Sequence, residues 1–289
     1  MPKKKQLNTL VDDIYKVLDS LTEGNELNIS DNMYKEFGKD MEDALRHWAT
    51  PQTQTKENLR MSNIGKPERR LWFDAHTDSD TTEKLAPNVQ IKFLYGHLLE
   101  VLILFFVKLS GHNLTNMQKQ ITVDGIKGHM DCMIDGEVVD VKTASGYAFK
   151  KFKEGTLSED DAFGYLSQLA GYEHAEGTNK GGFLVMNKET GELCTYIPDD
   201  MEKPNIVSKI ENVKEIIVKN EPPDFCYDPV PEGVSGNMKL ARGCTWCPHK
   251  IECHKDSNDG KGLQAYQYAK GPIYFTNIVK EPKVEKIKL

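Results

Sequence analysis

The chain has 289 residues, enough to bury a substantial core, either as one large domain or as a core with appendages. With 38% hydrophobic and 28% charged residues it is composed like a globular chain, and its net charge of −7 argues against a generic nucleic-acid coating protein while leaving room for a local basic strip. Six cysteines, three of them clustered, point to metal ligation in a reducing compartment more than to a disulfide framework.

Lys3-Lys4-Lys5 leads into an amphipathic stretch, so no secretory signal is expected. Leu7, Leu10, Val11, Ile14, Leu18 and Leu21 fall at helical spacing and predict one helix, closed by Gly24-Asn25. A second helix is predicted from about Asp31 to Ala49, with Tyr34, Phe37, Met41, Leu45 and Trp48 on one face. Pro51 to Glu57 reads as a polar linker. Pro67 suits a first helical turn, after which Arg69 and Arg70 stand beside Leu71-Trp72-Phe73. Such a start can hold a phosphate strand, or it can be a solvated turn leading into core.

Thr77 to Asn88 reads as a loop, followed by a helix from Ile91 to Leu109 that is apolar on nearly all sides. The run from Phe93 contains His97, Glu100 and Lys108, so a buried helix is expected in place of a membrane span. His97 and Glu100, three residues apart on adjoining faces, are an ionisable pair in a place where little is exposed. Asn116 to Asp124 is predicted to be a strand.

The stretch from Gly128 to Thr143, GHMDCMIDGEVVDVKT, carries the densest signal. Asp135-Gly136 between apolar runs predicts a hairpin. Strand side chains alternate faces, so Asp140 and Lys142 share one and Val139 and Val141 the other, while Asp131 falls near the register of Asp140. Two carboxylates side by side repel unless a cation lies between them, and an all-oxygen pair suits a hard ion such as magnesium or manganese.

Farther on, Lys150, Lys151 and Lys153 alternate with Tyr147, Phe149 and Phe152, a mixture that suits a nucleic-acid strand or a charged helix edge. Ser158 to Glu173 is predicted as a helix capped by Ser158, with Gln168 and Tyr172 one turn apart on one face. Gly182 to Met186 and Leu193 to Ile197 predict a second hairpin, and Lys203 to Lys219 an amphipathic helix. The order predicts a mixed α/β core in which helices flank a sheet.

Cys244-Thr-Trp-Cys247 followed by Cys253, with Cys226 upstream, reads as a four-thiolate site for zinc or an iron–sulfur cluster, with His249 and His254 as spare donors. Cys132 and Cys194 read as buried packing thiols. Ile273-Tyr274-Phe275 predicts an aromatic strand, and Lys280 to Leu289 a charged, mobile tail.

Taken together these pieces resemble the PD-(D/E)XK nuclease superfamily, in particular its RecB-like and phage exonuclease branch, over about Ser62 to Cys253. Gly96-x3-Glu100 looks like the family's first-helix motif, Gly128-His-Met-Asp131 like its second, and Asp140-Val-Lys142, followed by Thr143, like its (D/E)xK strand. Gln168-x3-Tyr172 is similar to the QxxxY helix of that branch. The resemblance implies a restriction-endonuclease-like core over residues 56–222, an N-terminal helical appendage over 1–55 and a cysteine-ligated metal module over 223–289.

It further implies a magnesium- or manganese-dependent deoxyribonuclease in which Glu100, Asp131 and Asp140, with the carbonyl of Val141, hold the ion. Lys142 would position the attacking water and His97 tune it. Gln168, Tyr172, Arg69, Arg70 and Lys150 would hold DNA. Family members with a C-x2-C-x5-C join it to a distant N-terminal cysteine around a [4Fe-4S] cluster. Gly65 to Phe73 has no cysteine here, so Cys226 becomes the fourth ligand and zinc stays level with iron–sulfur. An exonuclease of recombination, repair or phage DNA processing is the leading expectation, in the cytoplasm of a bacterium or phage-infected cell, with a single-strand annealing protein or a helicase as partner. A restriction-type endonuclease and a non-catalytic DNA-binding scaffold are the alternatives.

Overall fold

The computed structural model describes residues 5–50, 59–77 and 87–289. The chain forms two compact units, one from Met1–Gly65 and Leu85–Asn212, the other from Lys66–Lys84 and Val213–Leu289. This differs from the expected division at 55 and 222. The N-terminal helices belong to the first unit, and the segment with Arg69 and Arg70 belongs to the second.

In the first unit, helix α1 (Leu10–Thr22) follows a single 3-10 turn at Leu7–Thr9, and α2 (Asp31–Ala49) starts where the Ser30 hydroxyl accepts the Met33 amide at 3.3 Å. The predicted linker over 51–57 and most of the predicted loop over 77–88 lie outside the described residues. The long apolar helix, numbered α4 here, covers Pro87–Leu109, four residues earlier than its apolar pattern starts.

The central sheet has five strands, β1 (Leu114–Thr115), β4 (Cys132–Ile134), β5 (Glu137–Ala144), β6 (Gly182–Asn187) and β7 (Leu193–Tyr196), in the order β1-β4-β5-β6-β7. Only β5 and β6 run parallel, joined by a crossover that contains α5 (Gly146–Glu154) and α6 (Tyr165–Glu176). A separate ribbon pairs β2 (Lys119–Val123) with β3 (Ile126–Met130), so Gly128 lies in a second hairpin that the apolar pattern alone does not separate from the first. At the predicted turn, Asp135 and Gly136 take φ of 54° and 93°, the two left-handed residues that a tight two-residue hairpin needs.

Leu10 and Ile14 of α1 and Ile103 and Val107 of α4 pack with Cys132, Ile134, Val139, Val141, Leu184 and Met186 in one core. Each such buried side chain contributes about 1.5–3 kcal/mol. The N-terminal segment is therefore part of the core and not an appendage. The Tyr15 hydroxyl adds a bond from α1 to the sheet, accepting the Leu193 amide at 2.7 Å.

The expectation of a buried helix needs correction for α4. Among the described residues it is the one helix long and apolar enough to cross a membrane by length and composition. Only Ile103 and Val107 are fully buried, and Ile91, Phe93 and Tyr95 are about half exposed. The sheet and α1 cover one stripe of it, and α2, which buries no residue fully, lies along another.

The second unit contains α3 (Glu68–His76), three short helices, α8 (Arg242–Thr245), α9 (Lys250–Cys253) and α10 (Ser257–Gly260), and an antiparallel sheet. Its strands are β8 (Val230–Pro231), β9 (Met238–Lys239), β10 (Gln264–Tyr268), β11 (Gly271–Asn277) and β12 (Lys286–Ile287), in the order β12-β10-β11-β9-β8. Helix α7 (Ile206–Ile217) spans the point where the chain passes from one unit to the next. The expected mobile tail is instead paired, Ala265 with Ile287 and Tyr266 with Lys286, which covers the free edge of β10.

Candidate active site

The site grows from the alternation of β5. Val139 and Val141 join the core beneath α1 and α4, which turns Asp140 and Lys142 to the opposite face. Cys132 pairs with Val139, so Asp131, one residue before β4, comes opposite Asp140. There the Asp131 carboxylate accepts the Val141 amide at 2.7 Å. Lys142 Nζ lies 2.6 Å from Asp140 Oδ2. Glu100 comes from α4, where it accepts a bond from Gln118 Nε2 at 3.0 Å.

These four side chains act as one electrostatic group. Burial, then the Lys142 and Asp140 charges, set Glu100, whose carboxyl is pushed up to about 7. Burial and the Asp140 charge push the Asp131 carboxyl well above the usual carboxylate range. Burial opposes the Lys142 charge, but Asp140 and Asp131 outweigh it and hold the ammonium protonated above its ordinary range. Asp140 is fully buried, and Oδ1 has no hydrogen-bond partner; Oδ2 is near the ammonium but outside hydrogen-bond geometry. Burial and mutual repulsion thus work against charging all three carboxyl groups at once.

Gln168 and Tyr172 are placed directly behind this group. Gln168 Nε2 donates to the Tyr172 hydroxyl at 2.9 Å, which in turn donates to the His129 carbonyl at 2.8 Å. Gly128 makes the approach possible, because a Cβ there would sit 2.6 Å from Met61 Cβ and 3.1 Å from the Tyr172 ring. Tyr172 is 1% exposed, so the expectation that it touches DNA is corrected: it holds the backbone that leads to Asp131. Gln168 is likewise buried at the same junction.

His97 is not brought into the group. Its ring packs edge-on against His47 of α2 at 5.6 Å, and burial followed by the His47 charge lowers its pKa. Although the two residues are one turn apart, the His97 ring packs on α2. Lys150 stands on the exposed face of α5 with only a 3.6 Å pair to Glu154. Arg69 and Arg70 belong elsewhere, in the second unit.

There the four cysteines Cys226, Cys244, Cys247 and Cys253 line a single pocket. Arg69 Nε donates to Cys253 Sγ at 3.1 Å, Nη1 donates to the Pro223 carbonyl, and the guanidinium lies 4.3 Å from the Phe225 ring centroid. Arg70 lines the same pocket with Nε buried and unbonded, while its backbone N–H donates to Cys226. The Arg69 side chain is thus tied to a thiol, and Arg70 lines the same pocket beside it, in a different unit from the carboxylates. Burial and mutual repulsion raise the Cys244 thiol to about 12. His249 is committed through Nε2 to Asp74 at 2.6 Å, and His254 stacks on Phe225. Cys132 and Cys194 are buried free thiols in the strands of the first unit. Among the described residues no three His, Cys, Asp or Glu side chains form a preformed metal cage.

Two residues near the carboxylates escape a reading by motif. Tyr165 places its ring centroid 5.1 Å from Lys142 Nζ, and Asp161 takes the Tyr165 and Leu166 amides at 2.9 Å each. Helix α6 therefore starts at Tyr165 under Asp161, not at the expected Ser158, which sits in a separate 3-10 turn. An acid before Gly164 and an apolar run was the available signal.

No protein-family model matches the chain, and no curated protein matches it. Among solved structures, that of SSO0001 is similar over 76% of this chain and 96% of its own, at 19% identity and a TM-score of 0.40. The alkaline exonuclease LHK-Exo from Laribacter hongkongensis is similar over 57% of this chain and 95% of its own, at 14% identity and a TM-score of 0.32.

Proposed function

We propose that the chain is a magnesium- or manganese-dependent deoxyribonuclease acting as an exonuclease. The observation that carries this reading is Asp140, a fully buried carboxylate with an unbonded oxygen beside Asp131, Glu100 and one ammonium. The donor set fits a hard divalent ion, which Glu100, Asp131, Asp140 and the Val141 carbonyl would hold. Such an ion, when bound, supplies a water of lowered pKa and neutralises charge at a phosphodiester. Lys142, beside Asp140 on the same strand face, would orient the attacking water and stabilise anionic oxygen. Tyr172 and Gln168 hold the strand that leads to Asp131, and exposed Lys150 follows a phosphate backbone. Cleavage of end-labelled linear DNA, compared with a closed circle, with and without magnesium, tests the reading. Cutting of the circle would move it to an endonuclease, and no metal-dependent cutting of either would remove it.

The same charges predict a pH response in chelator. The folded chain keeps the Glu100 proton up to about 7, whereas the unfolded chain releases it near 4.5. Between those values the unfolded state binds fewer protons, so stability falls as pH rises, by an amount of order 3 kcal/mol for this group. Asp131 acts in the same sense, and His97 and His254, with lowered pKa values, act in the opposite one. Glu100→Gln isolates the effect. Its Tm in chelator is expected to fall less than the wild type's between pH 5.5 and 8, and magnesium is expected to raise the wild-type Tm at pH 8. Parallel Tm curves for the two proteins would show that Glu100 is not in the group.

For the cysteine pocket we propose one zinc ion or one [4Fe-4S] cluster, held by Cys226, Cys244, Cys247 and Cys253. A four-thiolate centre is negatively charged, and the unbonded Arg70 Nε and the backbone donors from Arg70 and His249 fit it. Cys247→Ser is expected to lose the metal and lower Tm by roughly 5–10 °C. Elemental analysis and visible absorption of anaerobically purified protein decide between the metals. Unchanged metal content in the variant would remove Cys247 as a ligand.

A further inference from the structure

A row of aromatic rings runs from the core to solvent beside the carboxylates. Phe183 is fully buried, Tyr165 lies 6.3 Å from it, and Phe163 stacks on Tyr165 at 5.4 Å with an interplanar angle of 18°. Phe163 is 60% exposed. The loop that presents it is held firmly: Asp161 takes the next two helix amides through its side chain, and Gly164 packs backbone-to-backbone on Gly65. A lone exposed ring needs no explanation. A ring on a loop tied down at both ends, stacked on a second ring whose centroid lies 5.1 Å from the Lys142 ammonium, offers its face to a flat partner with negative charge nearby. The same pairing of ring and ammonium recurs on α5, where Lys151 Nζ lies 5.2 Å from the half-exposed Tyr147 ring.

A single nucleic-acid strand offers that partner, with flat bases joined by anionic phosphates, and base–aromatic stacking tolerates any sequence. We propose that Phe163, backed by Tyr165, is the stacking step for an unpaired nucleobase next to the phosphodiester held at Asp140, so that the substrate is single-stranded DNA or a frayed strand end. The proposal rests on the nuclease reading of the carboxylates. It deepens that reading by naming a residue that touches the substrate and the form of substrate it touches.

The test is binding of short single-stranded oligonucleotides in calcium, with 2-aminopurine placed at each position in turn. Quenching is expected at one position, lost in Phe163→Ala and retained in Phe163→Trp, with Kd raised about ten-fold in Phe163→Ala. An abasic site at that position should weaken wild-type binding by a similar factor and leave Phe163→Ala unchanged. Equal affinity of the wild type and Phe163→Ala, an abasic penalty that adds fully to the mutation, or no strand binding by the wild type would each overturn the stacking assignment. Magnesium- and manganese-dependent cleavage by the wild type is measured separately. Its absence would sink the nuclease reading, and its presence with unaltered binding in Phe163→Ala would sink only the stacking step.

Discussion

Asp140→Asn is expected to lower metal-dependent DNA cleavage by roughly 10³-fold, with the fold retained. The reasoning is electrostatic. Asp140 is fully buried, its Oδ1 has no hydrogen-bond partner, and in the proposed reading its charge is what holds the divalent ion. The amide keeps the shape but removes the charge and turns one oxygen into a donor, which cannot face a cation. The Asp140 charge is one of the forces that raise Glu100, so in the variant the Glu100 pKa should drop toward the usual carboxylate range. That shift is readable by NMR titration without any substrate. Lys142→Ala should also abolish cleavage, and it should destabilise the metal-free protein at pH 8, because the carboxylates lose the ammonium among them. Wild-type rates in both variants would show that the buried charges serve packing alone.

The second large effect concerns the turn that starts α6. Gly164→Ala is expected to cost about 3–5 kcal/mol, a large share of the stability of an ordinary domain. Gly164 has φ of +76°, a left-handed value that costs an L-residue about 1–2 kcal/mol. A Cβ there would lie 2.2 Å from the Gly65 carbonyl carbon, and neither backbone can move aside cheaply. Gly65→Ala meets the same contact, with its Cβ 2.5 Å from Gly164, but without the left-handed φ, so it separates the two costs. Urea denaturation of both variants gives the numbers. A loss under ~1 kcal/mol in each would mean that the two segments do not meet. The contact matters for function because it sets the start of the helix that carries Gln168 and Tyr172 and the loop that presents Phe163.

Much of the first unit was legible from local signals. The Asp135-Gly136 turn, the sharing of one face by Asp140 and Lys142, and the extent of α2 follow from residue order, because turn geometry and strand alternation are properties of a few neighbouring residues. The register that sets Asp131 against Asp140 follows from the same short turn. Where the reading departed from the structure, the cause was contact between distant segments. His97 shares an apolar helix with Glu100, yet it faces α2, whose position the spacing of the two residues cannot reveal. Arg69 and Arg70 look like a phosphate grip beside Leu71-Trp72-Phe73, and the cysteines whose pocket they line lie far along the chain.

Residue order by itself thus determined the hairpin, the alternation that puts an acid and an amine on one face, and the cysteine spacing, since each needs only the geometry of a strand or a short loop. Tertiary structure alone decided that the N-terminal helix completes the core, that Glu100 joins the two aspartates while His97 does not, and that Tyr165 and Phe163 stand beside Lys142. The reason is that helix faces are chosen by what packs against them. That choice depends on residues a hundred positions away, which no local pattern encodes.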